Sequence, residues 1–378
     1  MNEDDAALLE GLFKRYYFEN VGRIHVPHKM GRREFGYQRF NGGMNRHLAM
    51  RDDGALRVML VSNSPSDVYC SNAYYSFPDL PMNEKDWKGA DLIFDIDAKD
   101  LNLECRAGHT VYRCSDCMAV SRDASACRAC GSARLDSKSV ACRDCIDASK
   151  KEVRKLEDIL VRDFGIPEGS IRVYFSGNEG FHVHAYAPHF EQLNSRERGE
   201  LVDYIRFNGA VPERFGMTRR QPKRDLQKTL PELGDAGWAG RVAKGIFVNK
   251  TGRKRFISQI DGDAYDSYQR SLREIAGTIG ARIDPQVTTD VHRIFRMPDS
   301  LNGKSGMAKV PCGDLDSFDP HVDACVLDDG PVTVTARCPV AFRLKGHAFG
   351  PYDSEQVTVP GYAAAYMLCK GLATSSGA

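Results

Sequence analysis

Long apolar runs are missing from this 378-residue chain. None approaches the roughly 18–20 residues that a membrane-spanning helix needs, so no membrane partner is expected. The opening Met-Asn-Glu-Asp-Asp is acidic and has no apolar signal-peptide core, so a soluble, cytoplasmic protein is expected. Net charge is nearly absent as well. The 52 Lys and Arg stand against 51 Asp and Glu, which excludes a chain held to nucleic acid by bulk charge alone. Twelve cysteines are too few for a disulfide scaffold of this length. No Gly-x4-Gly-Lys-Ser/Thr loop surrounds Lys304, which argues against a P-loop nucleotidase. No four-cysteine iron–sulfur pattern follows residue 150, and no long repeat is present.

What is present is an ordinary globular composition, 42% hydrophobic and 27% charged, long enough for two or three modules. Residues 91–97, Asp-Leu-Ile-Phe-Asp-Ile-Asp, read as a buried strand. Side chains two apart on a strand share a face, so Asp95 and Asp97 project together while Ile96 points the other way. Two adjacent carboxylates repel unless a cation joins them, and hard oxygen pairs suit Mg²⁺ or Mn²⁺. Many Asp-x-Asp pairs merely end a strand, so the pair alone is a weak signal. Residues 149–164 carry Val153, Leu156, Ile159, Leu160 and Phe164 at helical spacing, and Gly165 and Pro167 end the run. Ile171–Phe175 and Phe181–Tyr186 read as further strands, which gives an α/β or α+β core. Helical patterns also cover 195–215 and 265–280, and 283–310 mixes short strands with turns. The tail Ala-Thr-Ser-Ser-Gly-Ala is expected to fray.

Between two of the strands lies Ser-Gly-Asn-Glu-Gly-Phe-His-Val-His, residues 176–184. Gly177 and Gly180 permit a sharp turn or a close approach to a ligand. Ser176, His182 and the turn's amides could cradle phosphate; a plain hairpin with two incidental histidines, or zinc held by His182 and His184, reads the same residues differently. In residues 283–307, Asp284 is a candidate third carboxylate, with Asp290 its competitor. Arg293, Arg296 and Lys304 are cations able to neutralise a triphosphate. Basic residues also concentrate at 29–46 and 218–255, where a solvated face is the commoner explanation.

Seven of the cysteines fall between Cys105 and Cys145. With His109 they make eight potential ligands: Cys105-x3-His109, Cys114-x2-Cys117, Cys127-x2-Cys130 and Cys142-x2-Cys145. Structural zinc takes four in a tetrahedron, so eight suit two ions. Cys114, Cys117, Cys127 and Cys130 could form a compact ribbon nested within Cys105, His109, Cys142 and Cys145. Two sequential sites fit the spacing too.

Taken in order, FDIDA with Asp95 and Asp97, SGNEGFHVH, and IDPQVTTDVHRIFRMPDSLNGKSG resemble the small catalytic subunit of the archaeal and eukaryotic-type DNA primases. RREFGYQRF and SNAYYSFPDLPMNEKDWKGADLIFDID are similar to the archaeal branch. The resemblance runs over roughly residues 10–345. It implies an α+β primase-polymerase core with an RRM-like catalytic half and an inserted zinc-binding knob. It also implies a nucleotidyltransferase of the DNA-directed RNA polymerase type, making short primers on single-stranded DNA from nucleoside triphosphates and partnered by a large primase subunit. On this resemblance Asp95, Asp97 and Asp284 hold the catalytic Mg²⁺ or Mn²⁺. Ser176, Gly177, His182, Arg296 and Lys304 meet the nucleotide, and Cys105, His109, Cys142 and Cys145 form the zinc knob, with the Cys114–Cys130 ribbon an insertion. The expected divisions are 1–104, the zinc insertion 105–147, the remaining core 148–345, and the C-terminal segment 346–378. A stand-alone repair or translesion primase-polymerase shares the carboxylates, and a non-catalytic zinc-ribbon module shares the cysteines. Two departures from the family pattern stand out. Asn178-Glu179 occupies a turn that often holds a phosphate-binding arginine, and Asn302 stands where histidine is frequent. Glu179 is expected to repel a triphosphate unless a cation from elsewhere compensates.

Overall fold

Leu92, Phe94 and Ile96 alternate with Ile93, Asp95 and Asp97 along one strand, and that alternation sets the architecture. In the computed structural model, which describes residues 1–260 and 264–375, the strand is Leu92–Asp97. It pairs antiparallel with Gly180–Ala185, which pairs with Ile171–Phe175, which pairs with Val310–Pro311. In this register Phe94, Val183 and Val173 share one face, and Asp95, His182 and Tyr174 the other. The apolar face is covered by the helix Arg143–Arg162, in which Val153, Leu156, Ile159 and Leu160 are fully buried. That helix starts six residues before the spacing suggests, because its first turn carries Cys145 beside Cys142. Beyond its end, Gly165 takes φ +68°, a conformation that suits glycine.

The polar face meets a second antiparallel sheet, ordered Ile294–Arg296, Asp67–Ser71, Phe35–Gln38 and Met44–Leu48. Phe295 is the contact, packed with Ile93 and Val287 and edge-on to His182. A crevice between the two sheets is the result, lined by Ile93, His184, Phe295 and Arg296, with Asp95 and Asp97 farther along the same strand face as Ile93.

Three further units attach to this frame. Val120–Ser121, Thr110–Cys114 and Leu135–Ser139 form a small sheet carrying the cysteine cluster. The expected 195–215 helix stops at Ile205, and a separate helical core follows, built on Phe207, Phe215, Leu226, Phe247, Tyr268 and Leu272. Arg241 fastens that core to the frame through Asp158 at 2.7 Å and Asp163 at 2.9 Å. Its helices end with Ala264–Ile279. At the C-terminal side, Pro331–Cys338 pairs with Tyr352–Pro360 beneath the helix Gly361–Lys370, which is buried along most of its length. The tail departs from expectation: Ala373–Ser375 is a strand against Val334–Ala336, drawn in by buried Leu372 and by the Ser375 amide donating to Asp5. The remaining tail residues lie outside those described. Among the described residues no helix is long and apolar enough to cross a membrane.

Candidate active site and metal centres

Asp95 and Asp97 end their strand side by side on the crevice face. Asp284 is brought to them by the backbone: its amide donates to the Asp95 carbonyl at 2.9 Å. It also caps the short helix Pro285–Thr289, accepting from the Gln286 amide, and Thr288 Oγ1 ties that helix to the Ile93 carbonyl. Asp290 is turned to another task, accepting from the His292 amide at an exposed position. Burial, then the charges of Asp97 and Asp284, push the Asp95 carboxyl up to about 8. Its Oδ1 is buried and has no hydrogen-bond partner. A buried, unpartnered carboxylate oxygen beside two more carboxylates is a donor set that a hard divalent cation suits. The gathering is loose: these carboxylates do not bring one oxygen each within 4.8 Å of one another, and Lys99 pairs with Asp97 at 2.8 Å.

His182 stands across from Asp95, its Nε2 3.5 Å from Oδ1, and its Nδ1 is unpartnered. Burial, then Lys309 and Arg296, pull its pKa well below the ordinary range, so it is neutral. His184, on the same strand face and also against the Phe295 ring, contacts Lys309 Nζ at 3.0 Å, and the two histidines belong to no shared ligand set among the described residues. Lys309 is fully buried, and desolvation, then Arg296, lower it to about 7. No spacing signal marks Lys309 in the sequence; only the fold places it against the histidine strand.

The glycine turn is wedged against the carboxylates. A Cβ on Gly180 would collide with the Ile96 carbonyl and Asp97 Oδ1. Gly177 has φ +89° and lies against Asn302 and Met307, while Ser305 Oγ donates to its carbonyl. Among the described residues, no protein group accepts from the Gly177, Asn178 or Glu179 amides. Consecutive free amides in a turn make an anion-binding concavity, with Ser176 at its edge.

The cations of residues 283–307 divide. Arg296 is buried and committed, donating to Asp67 at 2.5 Å and to the Leu301 carbonyl at 2.9 Å. Asp67 also accepts from the Gly303 amide, so Arg296 and Asp67 together shape residues 301–303. Lys304 is exposed and has no acidic partner among the described residues. Arg293 also bears on Asp95 and His182 electrostatically. In the 29–46 stretch, Lys29, Arg33 and Arg46 are spent on Glu191, Asp91 and Glu34. In 218–255 only Arg241 and Arg253 are drawn inward; the other lysines and arginines are exposed.

The cysteines assemble into two nested sets: Cys105, His109, Cys142 and Cys145, and Cys114, Cys117, Cys127 and Cys130. Neighbouring sulfurs lie 3.4–3.6 Å apart, and His109 Nε2 is 3.3 Å from Cys145. That is far beyond a disulfide bond and close to the roughly 3.8 Å edge of a tetrahedron with 2.3 Å zinc–sulfur bonds. Both donor sets therefore fit zinc. The outer set joins the start of the Arg143–Arg162 helix to the residues just after the carboxylate strand.

Residues 132–314 match the family model described as DNA primase small subunit. Two curated relatives carrying that name, from Nitrosopumilus maritimus and Cenarchaeum symbiosum, are each 53% identical. The first aligns over 99% of this chain and the second over 100%, and each over 100% of its own length. The relative from Archaeoglobus fulgidus is 29% identical over 96% of both chains. A solved polymerase domain of Mycobacterium tuberculosis ligase D is 12% identical, with a TM-score of 0.38 over 85% of this chain and 88% of its own, too slight a likeness to argue from. With relatives at 53% identity along its whole length, the chain belongs to the family of DNA primase small subunits.

Proposed function

We propose that this protein is the catalytic subunit of a replicative DNA primase. It joins nucleoside triphosphates into short primers on single-stranded DNA, as a DNA-directed RNA polymerase. The observation that carries this is the meeting of Asp95, Asp97, His182 and the glycine turn on one crevice face, in a chain with full-length primase relatives. Asp95, Asp97 and Asp284 would hold divalent ions, Mg²⁺ or Mn²⁺, which would supply Lewis acidity for the attacking 3′-hydroxyl and positive charge for the pyrophosphate leaving group.

The protein's own groups position and neutralise. Ser176, the Gly177 amide and its two neighbours donate to phosphate oxygens. Neutral His182 adds a hydrogen bond without a charge. Lys304, exposed and without an acidic partner among the described residues, supplies the positive charge, while Arg296 works indirectly by shaping residues 301–303. The exposed basic side chains of 219–255 hold the template by its backbone, independently of sequence. The chain divides into core segments 1–104 and 148–345, a zinc module 105–147 and a C-terminal segment 346–378. We place it in the cytoplasm with a large primase subunit as partner.

The test is incorporation of labelled nucleotides on single-stranded DNA with Mg²⁺ or Mn²⁺, with and without a candidate large subunit. The unchanged chain should synthesise, and Asp95→Ala and Asp97→Ala should each abolish synthesis while melting cooperatively. Robust synthesis by either variant would overturn the assignment.

A further inference from the structure

Glu179 is the anomaly of the nucleotide turn: a carboxylate beside the position proposed for three phosphates. It is not free. Arg106 Nη1 lies 3.3 Å from one of its oxygens, and Lys370 Nζ lies 3.4 Å from the other. Lys370 also donates to Asn178 Oδ1 at 3.0 Å, so both departing residues of the turn are held by one cation. Lys370 is buried at the end of the helix Gly361–Lys370, with its ammonium against the Tyr366 ring. Arg106 stands between two ligands of the outer zinc set, Cys105 and His109, and its second nitrogen donates to Ser139 Oγ at 2.8 Å. The zinc sheet and the helix end also touch directly: Gly371 has φ +69°, and a Cβ there would press on Arg113 at 2.9 Å.

We propose that Arg106 and Lys370 are positioning residues for the incoming nucleotide, neutralising Glu179 and holding it back so that the amides of the glycine turn stay open to phosphate. The outer zinc site thereby has a second task, because it fixes the backbone that carries Arg106. The inference rests on the primase reading and adds a device that this chain needs because its turn lacks a cation of its own.

The experiment is a charge-rescue cycle. Arg106→Gln should raise the KM for nucleoside triphosphate, and the Kd of a non-hydrolysable triphosphate measured in Mn²⁺, by about tenfold, the scale of one unscreened charge at a half-buried site. The turnover number should change by less than about twofold, since the reacting groups are untouched. Arg106→Lys should fall between the two. Adding Glu179→Gln to Arg106→Gln should recover most of the lost affinity, because the freed charge is then gone. Zinc content should equal that of the unchanged chain in every variant. The proposal is overturned if Arg106→Gln leaves Kd unchanged, if the double variant stays as weak as the single, or if the single variant loses zinc. If the unchanged chain fails to incorporate nucleotide, the primase reading falls, and the binding cycle still decides the role of Arg106.

Discussion

Replacing Asp95 by asparagine should stabilise the protein when Mg²⁺ and Mn²⁺ are absent. The fold holds the Asp95 carboxyl near 8, against an ordinary value of 3.8, through burial and the charges of Asp97 and Asp284. A carboxyl raised in the folded state contributes no penalty below about pH 4, where it is protonated folded or unfolded. The penalty grows as pH rises and levels off above pH 8. At pH 7 the ceiling is roughly 4 kcal/mol. Relaxation of the crevice reduces what is measurable to about 2 kcal/mol, and asparagine, neutral at every pH, removes it. In a chain of this size that is a few degrees of melting temperature. The assay is thermal unfolding at pH 5, 6, 7 and 8 without added divalent ions. Zinc loss at low pH affects both proteins and cancels in the difference. The margin in favour of Asp95→Asn should widen steadily from pH 5 to 8. Added Mn²⁺ should then raise the melting temperature of the unchanged protein but not of the variant. A margin that is flat with pH, or a variant still stabilised by Mn²⁺, would refute the reasoning.

Further outcomes follow from the same geometry. Metal analysis should find two zinc equivalents per chain, and Cys114→Ser with Cys117→Ser should remove one while the outer set keeps the other; one equivalent in the unchanged chain contradicts the nested sets. Asp284→Asn should abolish nucleotide incorporation, whereas Asp290→Asn should retain it, and the reverse pattern would reassign the third carboxylate. Lys304→Ala should raise the KM for nucleotide several-fold with little change in melting. Arg296→Met should instead lose about 3 kcal/mol of stability in a denaturant melt, because the Asp67 carboxylate is left buried without its partner.

Features that are local in the chain are the ones the sequence displays. The carboxylate strand is legible from its alternation, because its two faces meet different surroundings over six residues. The cysteine sets are legible in membership from their short spacings. Spacing alone leaves nested and sequential sites both open and the family resemblance favours nesting, which the assembled sets bear out around the central strand Thr110–Cys114. The family resemblance supplied the carboxylate of Asp284, whose approach to Asp95 depends on one backbone hydrogen bond across the fold. Long-range partners were invisible. Nothing in the spacing links Arg296 to Asp67, Lys309 to His184, or Glu179 to Lys370, so a committed arginine and a compensated glutamate look like a free cation and a defect. The helical core on Phe207 and Tyr268 was obscured by its short helices, several of them under two or three turns.

The strand order of the crevice sheet bears on how the molecule is made. Its four strands come from residues 92–97, 171–175, 180–185 and 310–311, and its neighbour sheet spans 35 to 296. Pairings so distant in sequence close large loops and form slowly. The helical core, confined to residues 207–279, closes on itself with local contacts. On a ribosome, therefore, the carboxylate strand emerges early and waits, while the helices between its partners can condense first. The crevice cannot close until residues 294–311 have been made, so the nascent protein carries no assembled carboxylate face until most of it has been synthesised.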